Sequence, residues 1–310
     1  MISIEPILGS SAFTEHPGEL AAFATVGCWS VSALAFTEAA KRMGSLPLNI
    51  IRLAMALGLF VVFEGLARGS PLPLDASAHN WFWLSISGLV GFTLGDLCLF
   101  RSFVLIGPRL SLLLMSLVPV MAAAASWVAL GEELSLFSMA GMVLTIGGVV
   151  WVILERKPFA AGPVVHASAA GVLLALGAAA GQAGGLVLSK IGMSDGYDAF
   201  AATQIRTIAG LAGFLAILWV DRAWPRLVTA ARSRPGIAYA ALGACFGPFL
   251  GVSLSLVAVK YTYVGIAATI IALVPVMVIP MVIIVYREKV SLRAVLGAIL
   301  ALAGVAMLYC

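Results

Sequence analysis

Few side chains in this sequence are suited to chemistry, and most of those stand inside long apolar stretches. Asp96 lies deep in one of them, with Arg101 five residues on. A carboxylate at that depth binds a substrate amine or carries a coupling proton, or else forms a structural pair with an arginine; both readings stand. Arg52 and Arg206 each lie a few residues into an apolar stretch. A guanidinium there can grip a carboxylate or phosphate bidentately, but positions near helix ends favour snorkelling or capping a neighbouring helix. Gln182 and Gln204 are uncharged polar groups at depth, while Trp29 and Ser30 offer a ring and a hydroxyl. Trp29, Ser30, Asp96, Gln182 and Gln204 are therefore the candidate solute-binding set. Glu38 and Lys190 read as interfacial, and Glu132 and Glu288 as caps at the start of the helix that follows each.

Enzyme chemistry finds no such set. His16, His79 and His166 fall in the N-terminal stretch and the loops, without HxxxD or HExxH spacing. Cys28, Cys98, Cys245 and Cys310 are far apart and form no CxxC pair, which argues against a disulfide framework or zinc site. No Gly-rich phosphate loop is present, so ATP-driven pumping is excluded and no cofactor, metal or catalytic residue is expected. A polytopic enzyme acting on lipid-linked substrates is the alternative, but it needs a reactive cluster that this chain lacks. A sensor subunit would add a soluble domain, and no loop exceeds about fifteen residues. A channel would show rings of like charge or a carbonyl filter.

The elements that position these side chains follow from composition. Of 310 residues, 62% are hydrophobic and 10% charged, too apolar for a soluble domain. The net charge of +4 is scattered between apolar stretches, which excludes a nucleic-acid partner. Spans of about 20 apolar residues predict ten membrane helices at 20–38, 48–67, 81–104, 110–130, 136–154, 167–188, 199–220, 236–259, 264–286 and 291–309. Breaks fall at Met43–Pro47, Pro71/Pro73, Gly107-Pro108-Arg109, Gly131-Glu132-Glu133, Lys157-Pro158 and Arg234-Pro235. Trp81, Trp83, Trp151 and Trp219 sit at helix ends as an aromatic belt. Residues 1–18 carry no Lys or Arg and read as a tail, not a cleaved signal.

The chain repeats itself. A shift of 156 residues lays Leu117-Val118-Pro119-Val120-Met121 on Leu273-Val274-Pro275-Val276-Met277, Gly91 and Gly95 on Gly247 and Gly251, Glu132 on Glu288, and Gly141 and Gly148 on Gly297 and Gly304. A shift of 154 places Gly27 on Gly181 and Arg52 on Arg206. The units are 19–157 and 167–310, with 158–166 as linker. Five helices per unit make the second enter from the opposite face, an inverted repeat with its solute site at the midplane. Pro119 and Pro275 predict kinks or hinges inside helices. Gly91, Gly95, Gly181, Gly247 and Gly251 lie on small-residue stripes that read as packing faces.

Two five-helix units, each with an LVPVM helix ending at a Gly/Arg-Glu turn (Gly131-Glu132, Arg287-Glu288) and a closing helix with spaced glycines, resemble the EamA family of the drug/metabolite transporter superfamily over residues 20–309. The resemblance implies a central cavity lined by helices 1, 3, 4, 6, 8 and 9. It further implies export or exchange of a metabolite such as an amino acid, with a small solute and the bilayer as partners. It suggests a monomer or homodimer in the inner (plasma) membrane of a bacterium, with proton coupling through Asp96 open. Family members commonly keep both termini inside. Here Lys and Arg number three on the connections of the N-terminal face and thirteen on the other, which places both termini outside. A compartment-sensitive reporter fused to each terminus is expected to report the outer side; a cytoplasmic signal at both ends overturns the charge reading.

Overall fold

The computed structural model describes residues 16–155, 168–274, 276, 277, 281 and 292–307, and among these the regular elements are all helical. The first repeat holds α1 (Pro17–Met43), α2 (Ser45–Arg68), α3 (Ala78–Gly88), the π-helix Leu89–Gly95, α4 (Asp96–Met115), α5 (Val118–Leu130) and α6 (Leu136–Glu155). The second holds α7 (Ala169–Gly192), α8 (Ala199–Val220), α9 (Trp224–Ala231), α10 (Arg234–Ala244), the π-helix Cys245–Gly251, α11 (Val252–Tyr261), α12 (Val264–Ile271) and α13 (Leu292–Ala306). Six helical stretches among the described residues are long and apolar enough to cross a bilayer; Val118–Leu130, Leu136–Trp151 and Leu296–Ala306 are shorter apolar helices.

Local chemistry sets the ends. Gly44 alone separates α1 from α2, at φ +78, a left-handed backbone that a side chain would strain. Ser77 and Asn80 close a capping box on α3, Ser168 caps α7, and the Asp198 carboxylate accepts from the amides of Phe200 and Ala201 to start α8. The connection after α8, read from sequence as a loop, contains α9. Pro225 stands in its first turn, and Trp224 and Val228 are exposed beside Arg226, the pattern of a helix lying in an interface.

Two expectations change. The break at Gly107-Pro108-Arg109 is not a gap in helical backbone, because α4 runs from Asp96 to Met115. Yet Ser102 Oγ donates to Ser111 Oγ at 2.8 Å. Nine residues of straight helix would separate them by roughly 13 Å, so the axis doubles back within that interval. Pro119 likewise does not kink a continuous helix. The break comes first, at Ser116–Leu117, where Leu117 N–H bonds the Leu114 carbonyl. Pro119 then occupies the opening turn of α5, where a missing N–H leaves no bond unmade. In the second copy Leu273 N–H bonds the Ile270 carbonyl at the equivalent place; Pro275 itself lies outside the described residues.

The repeats are related by exchange. Both π-helices fall at equivalent positions: Leu89 and Cys245 start them, Gly95 and Gly251 end them. Each offers a carbonyl to a partner helix, Gly91 to Gln182 Nε2 and Gly251 to Thr25 Oγ1, both at 3.4 Å. Where α6 crosses α13, a Cβ on Gly148 would stand 2.6 Å from the Gly297 carbonyl oxygen. One on Gly304 would stand 2.7 Å from that of Gly141, the same contact with the copies exchanged. Thr145 Oγ1 reaches the Ala301 carbonyl, its own counterpart 156 residues on, at 3.4 Å. A residue that touches its own equivalent stands on the axis relating the two.

Backbone contact at this crossing leaves no room for side chains, so Gly148→Ala is expected to lower stability by about 1–3 kcal/mol through overpacking. Gly147, with nothing near its Cβ position, is the control. Thermal unfolding in detergent checks the pair, and equal effects from both alanines overturn the reading.

Candidate functional site

The glycines on α3, its π-helix and α7 bring two backbones together. A Cβ on Gly181 would lie 3.0 Å from the Gly95 Cα, and one on Gly185 3.1 Å from the Gly91 Cα. The equivalent stripe of the second repeat works differently. Gly247 faces the Phe36 ring, and a Cβ on Gly251 would come within 2.5 Å of Trp29 Nε1. These glycines make room for rings where the first set admits backbone.

This packing assembles a polar cluster at the junction of the repeats. Asp96, buried at the end of the first π-helix, pairs with Arg52 of α2. Its other oxygen faces Gln182 Nε2 of the second repeat at 3.4 Å. The guanidinium of Arg52 also lies over the Phe36 ring, 5.3 Å from its centroid. Asp96 therefore pairs with Arg52 and not with its helix neighbour Arg101. Nor does Arg52 snorkel: its side chain is only 14% exposed. Arg206 is 3% exposed and stands over Phe92, so the expectation of an interfacial or capping role fails for it too. A Cβ on Gly91 would lie 3.1 Å from Arg206 Nη2, and the missing side chains at 91 and 185 leave the notch that the guanidinium occupies.

Not all five candidates gather here. Asp96 and Gln182 do. Trp29 packs nearby against two core clusters, one of them holding Phe92 and Val252. Ser30 turns its hydroxyl back onto the Val26 carbonyl, and Gln204 donates to the Pro71 carbonyl in the connection between α2 and α3. Gln204 Oε1 is left without a partner.

Sequence reasoning missed the end of the molecule that holds the start of α1. Glu132 does not cap the helix that follows it. Its Oε2 accepts the Val264 amide at the start of α12, across the repeats, and its Oε1 stands 2.6 Å from Lys190 Nζ. Helical N–H groups at a first turn lack backbone partners, and here a carboxylate from the other repeat supplies one. Lys190 also donates to the Thr262 carbonyl, and Thr262 Oγ1 to Glu19. Beside this lock Asn80 bonds Asp195 and the Gly192 carbonyl, and Lys260 bonds the Gly196 and Tyr197 carbonyls. Tyr197 reaches Asp75, which Arg68 joins to the buried Glu64. Burial pushes the Tyr197 hydroxyl up to about 12. A usable signal existed: Lys190 falls on Phe36 under the 154-residue shift, a difference between copies as sharp as Asp96 against Val252.

The EamA-like transporter family matches residues 16–154 and again 169–310. One solved crystal structure superposes with a TM-score of 0.72 at 20% identity, covering 94% of this chain and 95% of its own, which speaks to the fold alone. Among curated proteins no match is found.

The Glu132–Lys190 lock should behave as one unit. Glu132→Gln and Lys190→Met each lower stability, and the double variant costs less than their sum by about 0.5–3 kcal/mol. Additive losses in thermal unfolding would show that the two do not interact.

Proposed function

The chain belongs to the EamA-like transporter family, a family of membrane transporters of small molecules, and on that footing we propose that it is a secondary carrier working by alternating access between inverted five-helix repeats. One observation carries the reading. A buried carboxylate, Asp96, is held on one side by Arg52 of the first repeat and on the other by Gln182 of the second. Ionisable groups at this depth mark solute or ion pathways. A movement between the repeats has to break one of those contacts.

The rest of the cycle follows from the ends. The lock at Glu132, Lys190, Thr262 and Val264 closes the end that bears the start of α1. An inverted repeat would close the other end with the counterparts, which are Glu288, Phe36 and Pro108. Phe36 has no charge and Pro108 no N–H, so neither the ion pair nor the amide bond can form there. In this carrier the two closed states rest on different chemistry. The solute is a small metabolite, an amino acid or a related compound, with export as the working direction. The ten-helix count, the hinge role of Pro119 and Pro275 beside their helix breaks, and residence in a bacterial inner membrane belong to the same proposal.

Purified protein in proteoliposomes is expected to take up amino acids above empty vesicles, and to respond to an imposed pH gradient. Asp96→Asn is expected to remove that pH response while leaving exchange of solute. Retention of the response in Asp96→Asn shows that this carboxylate is not the coupling group. No flux of any small solute overturns the carrier reading.

A further inference from the structure

The two equivalent arginines are unequally provided for. Arg52 has Asp96. Arg206 is more deeply buried, and its Nε and Nη1 have no hydrogen-bond partner in the structure. The cause is legible in the repeat: Arg206 matches Arg52 under the 154-residue shift, while the position matching Asp96 under the 156-residue shift is Val252, an isopropyl group where the first copy has the carboxylate. The Phe92 face stands 5.1 Å from the guanidinium carbon. A ring face replaces only part of an ion's hydration. Nε and Nη1 also lie on different edges of the guanidinium fork, so both edges that a carboxylate can grip carry an open donor.

We propose that Arg206 anchors the anionic group, carboxylate or phosphate, of the transported solute. The site stands where Gly91 and Gly185 leave their notch, beside the Gly91 carbonyl that Gln182 bonds. That bond and the one from Gln182 to Asp96 are both 3.4 Å long, which leaves the amide free to turn toward a bound solute. Because the guanidinium is closed over by helix in this state, the anion reaches it only when α3 and its π-helix part from α7. Calling this anion the transported solute rests on the carrier reading; the anion site itself does not.

Thermal unfolding of the detergent-solubilised full chain tests the proposal with leucine, succinate and glycerol 3-phosphate against leucinamide and putrescine. At 100-fold over its dissociation constant, at least one anionic probe is expected to raise the unfolding temperature of the wild type by about 5 °C. The amide and the diamine are expected to leave it unchanged. Arg206→Met is expected to abolish the shift without unfolding earlier than wild type when no ligand is present, since it removes an unpaired buried charge. Arg206→Lys keeps the charge but not the fork, and is expected to bind at least about tenfold more weakly.

The proposal is overturned if no anion shifts the wild type, if leucinamide or putrescine does, or if the anion shift survives in Arg206→Met. It also falls if ligand-free Arg206→Met unfolds well below wild type, because the guanidinium then has protein partners. Flux in proteoliposomes separates this from the carrier reading. Flux of neutral or cationic solutes alone leaves the carrier and removes the anion anchor. An Arg206-dependent shift without flux leaves the anchor and removes the carrier.

Discussion

Inside a bilayer no water waits to satisfy a polar group, so each donor, acceptor and charge must find its complement within the protein. Much of this structure answers that constraint. Ser30, Thr25 and Thr145 turn their hydroxyls onto carbonyls of their own helices. The π-helices widen the backbone where Gly91 and Gly251 carbonyls meet side chains of a neighbour. Asp96 is admitted to the interior because Arg52 comes with it. Against that background an arginine without such a partner stands out as a demand the fold alone leaves open.

The two repeats divide the work between likeness and difference. Where they agree they make scaffold: the glycine contacts of α6 with α13, the paired π-helices and the helix breaks ahead of Pro119 and at Ala272–Leu273. Where they disagree they make chemistry: Asp96 against Val252, Lys190 against Phe36, Trp29 against Ala183. A symmetric shell can present opposite faces to the two sides of a membrane. Only asymmetric residues inside it can grip a solute that has no symmetry of its own.

Much of the fold was legible in the sequence. Long apolar spans announce membrane helices, and a gap-free shift with Gly, Pro and Glu in register announces duplication. The local course of the chain was harder to read. Gly107-Pro108-Arg109 carries break-forming residues, yet the backbone stays helical while reversing, because a hydrogen-bond pattern tolerates a bend that composition cannot forecast. The partners of charged groups were least legible. Asp96 chose Arg52, 44 residues away, over Arg101 on its own helix, and Glu132 chose Val264 over the nearer helix start. Such choices depend on which helices cross, and that lies in packing between distant segments. The buried state of Arg206 was hidden for the same reason: its notch is made by glycines on two other helices.

On the carrier reading, the pairing of Glu132 with Lys190 has a kinetic reach beyond the end of the molecule where it stands. The conformational preferences of a carrier do not alter the final balance of solute across the membrane, which the gradients it is coupled to set. Unequal closed states change something else. If one is held by an ion pair and a capped helix and the other by rings and apolar contact, the empty protein has a home position. Solute arriving on the side left open then meets a binding site already formed, while solute on the other side must first wait for the lock to break. The half-saturating concentrations on the two faces differ accordingly, with compensating differences in turnover. On the carrier reading proposed above, one lysine where its twin is a phenylalanine gives a nearly symmetric fold a kinetic front and back.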